Sequence, residues 1–188
     1  GIKEEISSAQ FVKLVEGIAT QLIKRGIKKG DQVILLTDRY SIKWLATDMA
    51  IMATGAISCP LHHPVKKSEL DIILSRIEPV VIIYTAAVDL SEISGVDKIL
   101  LDELTALNDT ICEEDRLRLQ AIREEMNPGD IATIVHTSGS SGEPRAVCLS
   151  HHNVVSNVMS VLSIVPFTPG TRVMSFLPLS HIFERIVC

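Results

Sequence analysis

A polar stretch between two apolar segments holds the residue types that bind phosphate. Within nine residues it supplies four hydroxyls, two glycines and one cation. Its members are Thr137, Ser138, Gly139, Ser140, Ser141, Gly142, Glu143, Pro144 and Arg145. Glycines let backbone N–H groups approach a phosphate closely, and hydroxyls and a guanidinium add further donors. A cluster of serine and glycine is more often only a flexible hairpin loop, so composition alone leaves phosphate binding as the less common of two interpretations.

The spacing within this stretch excludes three well-known motifs. A Walker A loop needs four residues between its glycines followed by Gly-Lys, whereas two residues separate Gly139 from Gly142 and Glu143 follows. A nucleophile elbow, Gly-x-Ser-x-Gly, would need glycine at position 143. No Gly-x-Gly-x-x-Gly occurs. The chain is therefore not a P-loop kinase, an α/β-hydrolase or a dinucleotide-binding protein of the usual type.

The order of residues in the stretch resembles a longer signature, that of the acyl-adenylate-forming enzymes. These are the acyl-CoA synthetases, the adenylation domains of peptide synthetases and the luciferases. Their signature loop has the form Thr-Ser-Gly-[Ser/Thr]-[Ser/Thr]-Gly-x-Pro-[Lys/Arg]-Gly-Val. Residues 137–147 match it except at Ala146, where glycine is usual, and Arg145 replaces the commoner lysine.

The resemblance extends over almost the entire chain. Residues 26–33 and 44–61 look like the first strand of the family and the helix and strand that follow, and residues 149–153 continue the signature into a helix. Residues 177–185, Leu-Pro-Leu-Ser-His-Ile-Phe-Glu-Arg, are similar to the next motif. In this form the motif looks most like that of long-chain fatty-acyl-CoA synthetases.

The resemblance implies a two-step reaction that uses ATP, Mg²⁺ and coenzyme A. A carboxylate attacks the α-phosphate of ATP to give an acyl-adenylate and pyrophosphate, and coenzyme A then displaces AMP. Positioning and electrostatics dominate such a reaction, because the protein mainly holds and neutralises phosphates. The residues that the resemblance places around the β- and γ-phosphates are Thr137, Ser138, Gly139, Ser140, Ser141 and Gly142.

Two further residues receive roles from the same resemblance. Arg145 supplies fixed positive charge at the phosphates, against the alternative of a solvent-exposed arginine at the start of a strand. His181 lies near the carboxylate and the α-phosphate, against the alternative of a surface or capping histidine at a helix start. Glu184 and Arg185, one turn further on, are expected to form an ordinary salt-bridged helix face without a chemical role.

Two pairs of adjacent histidines invite a metal-binding interpretation. They are His62-His63 and His151-His152. Adjacent residues on a strand or helix point apart, and no third ligand is near in sequence. We therefore predict no metal site and assign these histidines structural or surface roles.

Strand and helix patterns alternate along the chain, which predicts a parallel α/β sheet with helices on both faces. Apolar runs predict strands at residues 33–36, 57–61, 80–84, 98–101, 131–135, 145–149 and 173–177, with Pro60 and Pro64 ending the second. Helical spacing and capping signals predict helices after a Ser7–Gln10 capping box, at residues 41–54, 68–77, 113–126 and 153–164, and from about Ser180. Trp44, Met49 and Met52 are predicted to pack in the core.

Composition excludes several function classes. Apolar residues make up 46% and charged residues 22%, which excludes a disordered chain. The net charge is −5, and the sequence contains no basic stripe that could neutralise phosphates, so nucleic-acid binding is not expected. Polar residues and prolines interrupt the apolar segment at 146–171, so no transmembrane segment is expected. Four dispersed cysteines indicate reduced, mostly buried thiols in a cytoplasmic chain. Peripheral contact of the protein with the inner membrane surface stays open.

Together these observations predict an α/β fold with a mixed, largely parallel sheet flanked by helices, as in the N-terminal subdomain of the acyl-CoA synthetase large domain. We expect residues 1–188 to be the N-terminal part of the AMP-binding (adenylation) domain of a fatty-acid–CoA ligase. Its partners would be fatty acid, ATP and coenzyme A. The resemblance puts the adenine and ribose contacts and the C-terminal domain after Cys188, so the chain alone is expected to be inactive and to self-associate.

Two alternatives stay open at the level of sequence. One is an adenylation enzyme for an aryl or amino acid, which the motif at residues 177–185 disfavours. The other is a non-catalytic binding or scaffold module of the same fold. Ala146 and the ending of the chain inside an apolar run favour that module, whereas the intact hydroxyl-rich loop argues against it.

Overall fold

The structure is a computed structural model that describes residues 5–106, 111–138, 144–165, 167–168 and 170–187. In these residues the helices are α1 (Ser8–Lys24), α2 (Ile42–Ala53), α3 (Lys67–Ile77), α4 (Leu101–Ala106), α5 (Glu113–Glu125), α6 (His151–Ile164) and α7 (Ile182–Val187). The strands are β1 (Gln32–Thr37), β2 (Ile57–His62), β3 (Val81–Tyr84), β4 (Asp97–Leu100), β5 (Ile131–Ser138) and β6 (Pro144–Ser150).

The six strands form one sheet in the order β4-β3-β1-β2-β5-β6. Strands β1 to β5 are all parallel to one another, whereas β6 runs antiparallel to β5 and forms a hairpin with it. The predicted mixed, largely parallel α/β sheet is therefore confirmed. Because the parallel strands point the same way, their carboxyl ends meet along one edge of the sheet.

Helices cover both faces of the sheet, as the alternating pattern predicted. One core packs α1, α2, α4 and α5 against the sheet and includes Trp44, which is fully buried. The other core packs α3 against the opposite face. Five of the six residues of β1 are buried, since this strand lies between two others and under helices on both faces.

Local signals place the ends of the first two helices as predicted. Ser7 and Gln10 form the capping box: the Gln10 N–H donates to Ser7 Oγ at 3.2 Å, and the Ser7 N–H donates to Gln10 Oε1 at 2.9 Å. Ser41 caps α2 by accepting from the Trp44 N–H at 3.2 Å. Gly26 follows α1 with a φ of +89°, a conformation that glycine adopts without steric cost.

One predicted strand and two predicted boundaries are wrong. Residues 173–177 form no strand, because no strand among the described residues pairs with them and an apolar run needs a partner to make a ladder. Pro60 does not end β2: the pairing with β1 continues to His62. Helix α6 begins two residues before Asn153, because Ser150 caps it by accepting from the Asn153 N–H.

Two core predictions also need correction. Met49 is exposed and lies outside the core, because its side chain lines an open cleft with Val158 and Leu162 of α6. Among the described cysteines only Cys59, inside the central strand β2, is buried. Cys148 is exposed on the edge strand β6, and Cys112 is exposed at the cap of α5. In the part of the chain that the structure describes, no helix has the length and apolarity needed to span a bilayer.

Candidate active site

The β5–β6 hairpin brings together two of the predicted phosphate-binding residues. Thr137 lies near the end of β5, and its cross-strand partner on β6 is Arg145. Both side chains are exposed, and directly opposed residues of an antiparallel pair project from the same face. The backbone of Ser138 pairs with that of Pro144. The remaining predicted phosphate-binding residues, Gly139, Ser140, Ser141 and Gly142, lie outside the described residues.

A cation from the neighbouring helix supports the base of this hairpin. Arg76, in the last turn of α3, donates from Nη1 to the Pro144 carbonyl at 2.8 Å. His136, which precedes Thr137, has a lowered pKa because of its burial and, secondarily, the charge of Arg76. Its buried Nδ1 finds no hydrogen-bond partner among the described residues. The neutral form of His136 is therefore favoured beside the loop, and positive charge at this point comes from Arg76 and Arg145.

A shared hydroxyl ties the segment before His181 to the same edge of the sheet. Tyr40, just after β1, forms hydrogen bonds through its hydroxyl with His62 Nδ1 at 2.8 Å and with Ser180 Oγ at 2.9 Å. His62 is the last residue of β2, the strand beside β5. The carboxyl ends of β1, β2 and β5 thus place the Ser180 turn and the hairpin along one edge, where ligands bind in open α/β sheets.

His181 is exposed and caps the short helix α7. Its N–H donates to the Pro178 carbonyl at 2.8 Å, and its ring Nδ1 accepts from the Phe183 N–H at 3.3 Å. An Nδ1 that accepts leaves Nε2 to carry the proton in the neutral ring, so the outward nitrogen is a donor. Among the described residues no hydrogen bond joins His181 to Thr137 or Arg145. The capping role and an accessible N–H donor therefore coexist in one side chain.

Glu184 and Arg185 do not form the ordinary surface pair that the sequence predicted. The Arg185 side chain is 5% exposed and donates from Nε and Nη2 to the two carboxylate oxygens of Asp48, at 2.9 and 2.7 Å. Its Nη1 donates to Thr133 Oγ1 at 2.8 Å. Glu184 is also buried and accepts from the Phe176 N–H at 3.0 Å. One signal could have indicated this arrangement: Asp48 is the only acidic residue in the mainly apolar helix α2.

The described residues at the base of the loop suit the phosphates of a nucleotide. Thr137 provides an exposed hydroxyl and Arg145 an exposed guanidinium, and both groups donate to anionic oxygens. No cluster of three or more His, Cys, Asp or Glu side chains suited to a metal ion occurs in the described part of the chain. His62 pairs with Tyr40, and the buried Nε2 of His151 has no hydrogen-bond partner among the described residues.

Comparison with known sequences identifies a family and relatives of this chain. The sequence profile of the family described as "AMP-binding enzyme" matches residues 2–188. The chain is 27% identical over 206 residues to the long-chain-fatty-acid–CoA ligase FadD15 of Mycobacterium bovis, covering 100% of this chain and 34% of that protein. It is 29% identical over 161 residues to the hybrid PKS-NRPS synthetase apdA of Emericella nidulans, covering 83% of this chain and 4% of that protein.

Solved structures agree in fold. ATP-bound MatB from Rhodopseudomonas palustris superposes with a TM-score of 0.81 at 23% identity, over 98% of this chain and 37% of that one. O-succinylbenzoate coenzyme A synthetase from Bacillus subtilis, in complex with AMP, superposes with a TM-score of 0.81 at 19% identity, over 100% of this chain and 49% of that one. The chain spans about a third of the length of the FadD15 ligase. From the match over residues 2–188 and the shared fold, we conclude that the chain belongs to the AMP-binding enzyme family.

Proposed function

We propose that the protein containing this chain is an ATP-dependent acid–thiol ligase that activates a fatty acid to an acyl-adenylate and then to acyl-CoA. Residues 1–188 form the N-terminal part of its adenylation domain. The observation that carries the proposal is the hairpin, which holds Thr137 opposite Arg145 at the sheet edge that also receives the turn before His181. The names of relatives such as the FadD15 ligase support a fatty acid as the substrate.

Each site residue has one task in this proposal. The hydroxyls and backbone N–H groups of residues 137–142 hold the β- and γ-phosphates, and Arg145 neutralises charge on the leaving pyrophosphate. His181 donates its Nε2 proton in a hydrogen bond at the attacking carboxylate or the α-phosphate. Mg²⁺ would bind through the phosphates of the nucleotide and would neutralise part of their charge. The protein works in the cytoplasm, with peripheral contact at a membrane surface where its acyl substrates partition.

A panel of carboxylates tests the substrate class in the complete protein. We expect pyrophosphate release with medium- or long-chain fatty acids and little release with amino acids or aryl acids. Amino acids belong in the panel because the relatives include peptide synthetases. The reverse preference would overturn the fatty-acid assignment and keep the reaction class. If no carboxylate led to pyrophosphate release, the proposed ligase activity would be contradicted and the non-catalytic module would be favoured.

Replacement of Arg145 tests the site itself. A hydrogen bond to a charged group contributes about 1.5–3 kcal/mol, so Arg145→Ala should lower kcat/KM for adenylation by about one to two decades. The thermal midpoint should barely change, because the side chain is exposed. The matched control is Arg118→Ala, which removes an exposed arginine from α5. An unaltered rate of pyrophosphate release in Arg145→Ala would remove Arg145 from the site.

A further inference from the structure

Four side chains from four elements form a buried polar network. Arg185 of α7 binds Asp48 of α2 through two hydrogen bonds, and its Nη1 donates to Thr133 Oγ1 of β5. Ser58 of β2 donates to the same Asp48 carboxylate. Thr133 in turn donates to the Ser58 carbonyl at 2.7 Å. Asp48, Ser58 and Thr133 are each at most 1% exposed, so the network lies inside the protein.

This network joins two parts of the candidate site that are far apart in sequence. Thr133 lies on β5, the strand that continues to Thr137, where the polar stretch of residues 137–145 (the phosphate loop) begins. Arg185 lies on α7, which begins directly after His181. The guanidinium therefore sets where the helix that follows His181 lies against the strand that leads into the loop. The Tyr40–Ser180 hydrogen bond holds the same segment on the other side of His181.

The environment of Arg185 separates its role from that of Arg145. Its side chain is 5% exposed, and its Nε, Nη1 and Nη2 groups all donate to protein oxygens. A nucleotide at the sheet edge cannot replace these contacts without opening the core. Any effect of Arg185 on the reaction must therefore act through the position of the residues around it.

We propose that Arg185 is a positioning residue of the adenylation reaction, whose guanidinium fixes His181 relative to the strand that enters the phosphate loop. This inference rests on the proposed function. Replacement of a buried ion pair by well-packed apolar residues often leaves the stability of a core unchanged or raises it. Stability alone therefore does not require the Asp48–Arg185 pair. The planar guanidinium adds orientation, because its donors have a fixed geometry. Misplacement of a reacting group by about 1 Å can lower a rate about a hundredfold.

Kinetics of the complete protein provide the first test. The variants are Arg185→Met, Arg185→Lys and the double variant Asp48→Leu/Arg185→Met. The matched control is Arg123→Met, which removes an arginine paired at 3.6 Å with Glu16 between α5 and α1. The rate of adenylation is measured as the rate of pyrophosphate release, and kcat and KM for ATP are determined separately. The thermal midpoint of each variant is recorded as well.

We expect Arg185→Met to lower kcat for adenylation by about ten- to a hundredfold, with KM for ATP nearly unchanged. Arg185→Lys, which keeps the charge without the planar geometry, should recover part of the rate. The double variant should recover the thermal midpoint but not the rate, and Arg123→Met should keep the full rate. Recovery of both quantities in the double variant would show that the network is only structural and would overturn the proposal.

Hydrogen exchange provides a second test that needs no activity. The Phe176 N–H donates to Glu184, the residue beside Arg185, at 3.0 Å, and we expect this bond to slow its exchange. In Arg185→Met this amide should exchange faster relative to the amides of α1, whereas Arg123→Met should leave it unchanged. Unchanged exchange at Phe176 would overturn the proposal. If the wild-type protein activates no carboxylate, the proposed function fails, and hydrogen exchange alone decides whether Arg185 positions this segment.

Discussion

At the scale of single residues, burial separates side chains that can meet a ligand from those that hold the site together. Arg145 and Arg185 both belong to family-like motifs, yet the first is exposed and the second is enclosed by Asp48 and Thr133. The same distinction applies to the cysteines, since Cys59 is buried in β2 and Cys148 is exposed on β6. A residue type within a motif therefore identifies a candidate site residue, and its burial shows whether its side chain is accessible to a ligand.

The buried thiol gives a prediction about reactivity. Burial, with a smaller contribution from nearby Cys148, raises the pKa of Cys59 from 9.0 to about 12. The thiolate is the reactive form, so an alkylating reagent at about pH 8 should modify Cys112 and Cys148 in the folded protein and spare Cys59. Peptide mass spectrometry resolves the three sites. Alkylation of Cys59 as fast as Cys148 would contradict the buried position of the thiol.

The same shift sets the sign of a pH dependence. Between about pH 9 and 12 the unfolded state loses the Cys59 proton while the folded state keeps it. The contribution of Cys59 to the free energy of unfolding is therefore fully present below pH 9 and falls as the pH rises toward 12. Urea denaturation at pH 8 and pH 10 should show a smaller loss in Cys59→Val than in the wild type.

At the scale of elements, two glycines end helices in the left-handed region but in different surroundings. Gly26 follows α1 with a φ of +89°, and an added Cβ would meet no atom within 4 Å. Gly55 follows α2 with a φ of +76°, and an added Cβ would lie 3.2 Å from Cβ and Cγ of Lys29. Lys29 is itself held by an ion pair with Asp130 at 2.7 Å. The second turn therefore has less room to relax.

These surroundings predict an order of destabilisation. Gly26→Ala should lower the free energy of unfolding by about 1–2 kcal/mol, the cost of a left-handed non-glycine residue. Gly55→Ala should lower it further, because Lys29 must also move. Urea denaturation of the two variants measures the difference, and each serves as the control for the other. The opposite order would show that the Lys29 contact does not restrict Gly55.

At the scale of the whole molecule, helices cover the end of the sheet that carries the β5–β6 hairpin less completely than the end that carries β4. Helix α6 has no buried residue, and large apolar side chains are exposed on it and on the segment that follows. They include Met159, Ile164, Met174 and Phe176, and the last three are each more than 70% exposed. Exposed apolar surface of this kind favours association, so we expect sedimentation of the 188-residue chain to show self-association that increases with concentration.

The extent of the chain gives a prediction about activity. It covers 34% of the FadD15 ligase, and the resemblance puts the adenine and ribose contacts after residue 188. The 188-residue chain incubated with ATP, Mg²⁺ and palmitate should therefore bind ATP weakly and release no pyrophosphate above a no-protein control. The complete protein under the same conditions is the comparison, and the proposed function predicts that it releases pyrophosphate. Turnover by the 188-residue chain would mean that the loop and the His181 segment suffice for adenylation.

The sequence by itself determined the features that depend on neighbours within a few residues. The capping box at Ser7, the turn at Gly26 and the central strand β1 all lie where the local pattern predicted them. The phosphate-loop signature was likewise recognisable without a structure, because its identity resides in consecutive residues. These features use hydrogen bonds of three or four residues' span or a continuous apolar run, so each is visible within one short window.

Only the tertiary structure decided which distant residues meet. Asp48 and Arg185 are 137 residues apart, and Tyr40 and Ser180 are 140 apart, so no local window links them. The predicted strand at residues 173–177 failed for the related reason that a strand needs a partner, whatever its own propensity. Burial was decided at the same level: sheet order and helix placement enclosed Arg185 and left Arg145 exposed, since both depend on contacts made across the whole fold.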